Sequence, residues 1–169
     1  TSDETKESLH DLRLRVAALA DMYTLLYESE SPDVVNLRDY CERILQSLTG
    51  AVHHIYVQTD CDSIMIATRY ASIIGLLITE IITNVIKHAF PDEKNGVLHV
   101  SLKEHEEGAL LTIKDNGIGF PEGVNISESN TMGLSLIKRM VKQINGTVSF
   151  QCNEGTTCTI GIPNITHCG

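Results

Sequence analysis

Residues 70–89 constrain this chain more than any other stretch, because they are apolar at almost every position yet carry four polar groups on a single helical face. An apolar run of this length predicts a helix buried against a sheet. Glu80, Asn84, Lys87 and His88 stand at offsets of four, seven and eight, which places them together along that helix. Burying even one such group without a partner costs about 1 to 3 kcal/mol. A stripe of four therefore reads either as the wall of a wet, ligand-lined site or as an ordinary solvent face, and the helix alone leaves both readings open.

The periodicity on either side sets the architecture. Residues 2–28 contain no Gly or Pro, and Leu9, Leu12, Val16, Leu19, Tyr23, Leu26 and Tyr27 recur at three- and four-residue steps, which predicts one long amphipathic helix. Ser31-Pro32-Asp33 breaks it, since proline cannot continue a helix and disfavours the α region before it. A second helix is expected over about 36–48, capped by Asn36 and ended at Gly50. Beyond Gly50 the period shortens. Strands are expected over 52–59, 97–103, 110–114, 147–152 and 156–162, the second and third forming a hairpin across the charged turn 104–108, and a last helix over 132–144. No internal repeat or low-complexity tract interrupts this order. Helices on one side of a largely antiparallel sheet make a two-layer α/β (α+β) sandwich the natural solution.

Composition narrows the partners. Thirteen Lys and Arg against 22 Asp and Glu give a net charge of −9, which argues against a nucleic-acid or anionic-membrane surface. The most apolar stretch, 73–78, is bounded by Arg69 and Glu80, so no membrane-crossing segment is expected, and no charged-then-apolar leader opens the chain. Five cysteines (41, 61, 152, 158 and 168) without C-x-x-C spacing fit reduced structural thiols and a cytoplasmic setting. His53, His54, His99, His105 and His167 lack metal-ligand spacing and read as surface residues.

Three further segments carry candidate chemistry. Asp115-Asn116-Gly117-Ile118-Gly119 follows a strand, so a carboxylate is available to accept from a ligand while the glycines allow close backbone approach. The same letters also make a plain turn. Thr131-Met132-Gly133-Leu134 opens a helix, whose free N–H groups suit phosphate oxygens, though a simple capping segment reads the same way. Gly155-Thr156-Thr157 is either a hairpin turn or a ligand-facing loop.

Taken in chain order, Glu80-Ile-Ile-Thr-Asn84-Val-Ile-Lys87-His88-Ala-Phe, Asp115-Asn-Gly-Ile-Gly119, Met132-Gly133-Leu134 and Gly155-Thr-Thr157 resemble the N, G1 and G2 boxes and the closing glycine-threonine motif of the GHKL ATPases. Lys87-His88-Ala89-Phe90-Pro91 is similar to sensor histidine kinases in particular. The resemblance runs from about 36 to 163, and no P-loop motif competes with it. It implies a Bergerat-type ATP-binding fold with a mixed, mostly antiparallel sheet, residues 34–169 being the catalytic domain and 1–33 part of a dimerisation region. It further implies that Asn84 ligates Mg²⁺ and that Glu80 polarises the transfer or orders the metal's water. Lys87 and His88 would then meet phosphate or ribose. Asp115 would accept the adenine amino hydrogen, with Gly117 and Gly119 giving the base room, Gly133 and Leu134 at the phosphate-facing helix start, Thr157 near the adenine, and 120–130 as a short lid.

Residues 15–29 resemble the second helix of the dimerisation hairpin in kinases related to the HWE class, whose phosphoacceptor lies on the preceding helix in an H-x-V-K-N-type segment. No such segment occurs here, so the acceptor histidine is expected outside these residues. Leu9-His10-Asp11 offers a competing acceptor, since it is similar to the acceptor box of another subgroup, but only one helix follows it before the catalytic domain. The implied partners are ATP, a second copy through the first helix, and a response-regulator receiver domain; a membrane anchor on the parent protein stays open. The competing readings are a nucleotide-binding regulatory module without transfer activity and a GHKL anti-sigma serine kinase. Related hydrolases need a longer lid and a transducer domain.

Overall fold

The computed structural model describes residues 2–28, 31–120 and 132–163. Most of the expected lid, Thr131, His167 and Cys168 lie outside those residues. In chain order the elements are α1 (Ser2–Glu28), β1 (Val34–Asn36), α2 (Leu37–Thr49), β2 (Ile55–Cys61), β3 (Met65–Ala67), α3 (Thr68–Asn84), β4 (Gly96–His105), β5 (Gly108–Asp115), α4 (Met132–Gln143), β6 (Thr147–Gln151) and β7 (Thr157–Pro163). Five strands form one sheet in the order β2-β4-β5-β7-β6, in which β2 runs parallel to β4 and the remaining pairs are antiparallel. The expected mixed, mostly antiparallel sheet and the β4–β5 hairpin are both present.

Alternation along the strands makes this a two-layer sandwich. Leu98, Val100 and Leu102 of β4, Leu111 and Ile113 of β5, and Ile160 and Ile162 of β7 point to one face and are buried, while Tyr56 and Leu110 stay exposed. Against the buried face lies α3, whose Ile74, Ile78 and Ile82 are inaccessible to solvent, together with Ile137 of α4 and Ile44 of α2. By length and composition the helical stretch Thr68–Ala89 is apolar enough to cross a membrane, with mean hydropathy 1.4. Its burial against the sheet accounts for that composition.

Helix α1 is docked on the helical layer. Ala18 and Met22 are each 3% exposed, and the Tyr40 hydroxyl of α2 donates to the Ala18 carbonyl at 2.9 Å. Tyr40 reaches that position because α3 has glycine beneath its ring: a Cβ on Gly75 would stand 1.9 Å from the Tyr40 hydroxyl.

Two features differ from the sequence reading. The short antiparallel pair β1–β3 was not expected, because three-residue strands leave no periodic signal. The third helix was expected to continue to 89, but α-helical geometry stops at Asn84 and a π-helical turn, Val85–Ala89, follows. Asn36 does cap α2, its side-chain oxygen accepting from Arg38 N at 3.1 Å.

Candidate functional site

A cleft of about 490 Å³ opens between α3, α4 and the ends of β5 and β7, within the size range of small-molecule and cofactor sites. Asp115, which β5 delivers at its last residue and which is 2% exposed, lines it. Gly117 N at 2.8 Å and Thr156 N at 3.3 Å both donate to Asp115 Oδ1. Burial holds this carboxyl above the usual aspartate range, and the backbone N–H groups of Gly117, Thr156 and Asp115 itself offset only part of that rise.

The loop after Asp115 is stitched to its neighbours on every side. Asn116 takes the Val97 N–H on its side-chain oxygen at 2.7 Å, Ile118 N donates to the Ala89 carbonyl at 2.9 Å, and Asp115 N donates to Thr156 O at 2.9 Å. Two glycines make that closeness possible. A Cβ on Gly117 would meet the Ala89 carbonyl oxygen at 2.3 Å, and one on Gly155, at φ +110°, would meet the Asp115 carbonyl oxygen at 2.0 Å. Glycine at 117 is thus required by the approach of two backbones, a different reason from the room for a base that the resemblance implies.

Asn84 and His88 add polar groups to the lining. Asn84, from the last α-helical residue of α3, faces Gly133, where a Cβ would lie 3.5 Å from the Asn84 amide nitrogen. His88, exposed on the π-helical turn, lies on the same wall. Such turns recur at functional sites, and here the widened coil sets Lys87 and His88 beyond the reach of regular α-helical phase. Much of the remaining lining is apolar, including Ile81, Val85, Ile113 and Leu134. Phe120 and Phe150 meet edge-to-face at 6.4 Å. Cys158 also lines the cleft, but burial pushes its thiol up to about 12, so it is an inert part of the wall.

Of the residues singled out from the sequence, Asn84, His88, Asp115, Gly119, Gly133 and Leu134 line this cleft. Glu80 and Lys87 open instead into an adjoining chamber that shares Asn84, His88 and Gly133 with it. Gly117 stands behind the wall, and Thr156 rather than Thr157 lines the cleft, because Thr157 is taken into the ladder opposite Lys114. Alternation in β7 was the signal that would have picked out Thr156. Sequence reasoning also missed Arg15, whose Nε donates to Glu80 Oε1 across 65 positions of sequence.

Glu80 is 8% exposed, so its carboxylate needs that partner, and the hydrogen bond to Glu80 holds the Arg15 guanidinium above its usual value despite partial burial. Lys87 donates to Asp11 at 2.7 Å and to Glu7 at 3.0 Å. Burial works to lower the lysine's pKa, but the two carboxylates outweigh it and the net shift is upward. Asp11 is therefore engaged with Lys87, while His10 beside it is exposed and does not line either cavity. Among the described residues no group of three or more His, Cys, Asp or Glu side chains gathers as a metal site, and Cys41, Cys61, Cys152 and Cys158 are free.

Comparison with known proteins agrees with this geometry. Residues 71–166 match the family described as histidine kinase-, DNA gyrase B-, and HSP90-like ATPase, and residues 1–52 match a histidine kinase family. The chain is 28% identical over 127 residues to blue-light-activated histidine kinase 2 of Erythrobacter litoralis, covering 70% of this chain and 37% of that protein. It is 24% identical over 167 residues to the sensor histidine kinase PdtaS of Mycobacterium tuberculosis, covering 95% of this chain and 33% of the relative. The chain thus spans about a third of these curated relatives. The histidine kinase domain of an Erythrobacter litoralis blue-light-activated histidine kinase superposes with a TM-score of 0.81 at 25% identity, over 90% of this chain and 74% of that one. With the match covering more than half of its 169 residues, and with the cleft built from the same motifs, the chain belongs to the histidine kinase-, DNA gyrase B- and HSP90-like ATPase family.

Proposed function

We propose that this chain is the ATP-binding catalytic portion of a sensor histidine kinase, which takes up ATP·Mg²⁺ in the cleft and passes the γ-phosphoryl to a histidine on a helix outside these residues. The observation that carries the reading is one cleft lined by a buried, backbone-held carboxylate together with Asn84 and His88. Asp115 is placed to accept from an exocyclic amine, and the apolar walls suit a flat base. Asn84 supplies one protein oxygen for Mg²⁺, which prefers few protein ligands plus phosphate and water. Bound Mg²⁺ would neutralise phosphate charge, the main catalytic need in phosphoryl transfer. Glu80 orders water near that position, Lys87 and His88 meet phosphate oxygens, and Gly133 and Leu134 bring the first turn of α4 to the same place.

The remaining partners follow from the same reading. Residues 1–33 form the dimerisation helix and 34–169 the catalytic domain, a second copy packs on α1, a receiver-domain aspartate accepts the phosphoryl group from the histidine, and the chain works in the cytoplasm. Leu9, Leu12, Val16 and Tyr23 are all more than half exposed, a seam of the kind that packs against partner helices. An anti-sigma F factor of Geobacillus is 27% identical over 97 residues, covering 50% of this chain. The serine-kinase reading that this offers leaves α1 without a role.

Replacing Asn84 by Ala separates metal-dependent binding from base recognition. Affinity for a non-hydrolysable ATP analogue, titrated calorimetrically, should fall about tenfold or more with Mg²⁺ and change little without it. An unchanged Mg²⁺-dependent affinity would remove Asn84 from the metal site.

A further inference from the structure

The chamber beside the cleft is part of the catalytic domain on one side and of α1 on the other. It encloses about 170 Å³ between Asp11 and Arg15 of α1 and Glu80, Thr83, Asn84 and Lys87 of the domain. Asp115 lines only the cleft, whereas Asn84, His88 and Gly133 line both cavities. The two cavities therefore adjoin at Asn84, and a ligand anchored at Asp115 and long enough to pass Asn84 would be directed at the chamber.

The chamber's two cations are both already engaged by carboxylates. Arg15 is bound to Glu80, and Lys87, a member of the domain's polar stripe, has two carboxylates within 3.0 Å, both supplied by α1. A terminal phosphate arriving there must share Lys87 with Glu7 and Asp11 and meet their like charge at short range, in a site where Lys87 and Asp11 are mostly shielded from solvent. A nucleotide that ends one phosphate earlier does not meet this opposition.

We propose that Glu7 and Asp11 set how strongly this chain discriminates between nucleoside tri- and diphosphates, because only the triphosphate competes with α1 for Lys87. The proposal rests on the nucleotide reading of the cleft. Docking of α1 and occupancy by a triphosphate then oppose each other, and each weakens the other by the same factor.

The test uses the whole chain with Glu7→Gln and Asp11→Asn together. Glu7 is 61% and Asp11 29% exposed at the side chain, so neither substitution empties the core. Calorimetric titration in Mg²⁺ should give an affinity for a non-hydrolysable ATP analogue about three- to tenfold above wild type, with ADP within about twofold of it. Hydrogen exchange on the unmodified chain supplies an independent reading: amides of residues 7–16 should exchange faster with the ATP analogue than with ADP. Equal gains for the two nucleotides, no gain for either, or identical exchange would overturn the proposal while leaving the nucleotide site intact. Failure of both nucleotides to bind the unmodified chain would overturn the site itself.

Discussion

Asp115 carries an energetic tension that separates a functional carboxylate from a structural one. Burial raises its pKa in the folded chain, so the unfolded chain ionises first as pH rises. Stability is accordingly lost between the ordinary aspartate value, about 3.9, and the raised folded value, and the loss is complete above it. Asn at this position keeps an acceptor for Gly117 and Thr156 without that penalty. Urea denaturation should find Asp115→Asn at least as stable as wild type at pH 7, the difference closing as the pH falls toward 4; a clear loss at pH 7 would make the carboxylate structural. At this scale the sequence was informative about the residues that line the cleft, because Asp115, Gly119, Asn84 and Gly133 stand in local motifs whose letters have chemical meaning. It was silent on Arg15 and on the true need for Gly117. Both depend on what folds against them, Glu80 in one case and the Ala89 carbonyl in the other.

Among the elements, the long helices and the hairpin were legible because each repeats its period over many residues. The π-helical turn Val85–Ala89 was not, since the apolar pattern runs on through it. The short β1–β3 pair escaped for the opposite reason, being too brief for any period. Helix α1 was legible as amphipathic, yet its two faces do different work. Ala18 and Met22 are buried on α2 and α3, whereas Leu12 and Val16 are 54% and 57% exposed on the outer seam. Sedimentation velocity should show concentration-dependent self-association of the unmodified chain that Leu12→Glu with Val16→Glu abolishes, the circular dichroism being unchanged. Equal association of the variant, or none by either chain, would exclude that seam as the dimer contact.

For the whole molecule, one core joins three layers of information: a sheet that fixes Asp115, a central helix that carries Asn84, and an N-terminal helix that reaches over to Lys87 and Glu80. The net charge of −9 makes a polyphosphate an unfavourable guest except where local cations and a metal would offset it. Base recognition at Asp115 is the claim on which every later step depends. Its most direct measurement is calorimetric titration of a non-hydrolysable ATP analogue, with Mg²⁺, into the unmodified chain and into Asp115→Asn. Saturable binding by the former, weakened about tenfold or more in the latter, is the predicted result; equal affinity in both chains, or no binding to the unmodified one at millimolar ligand, would contradict it.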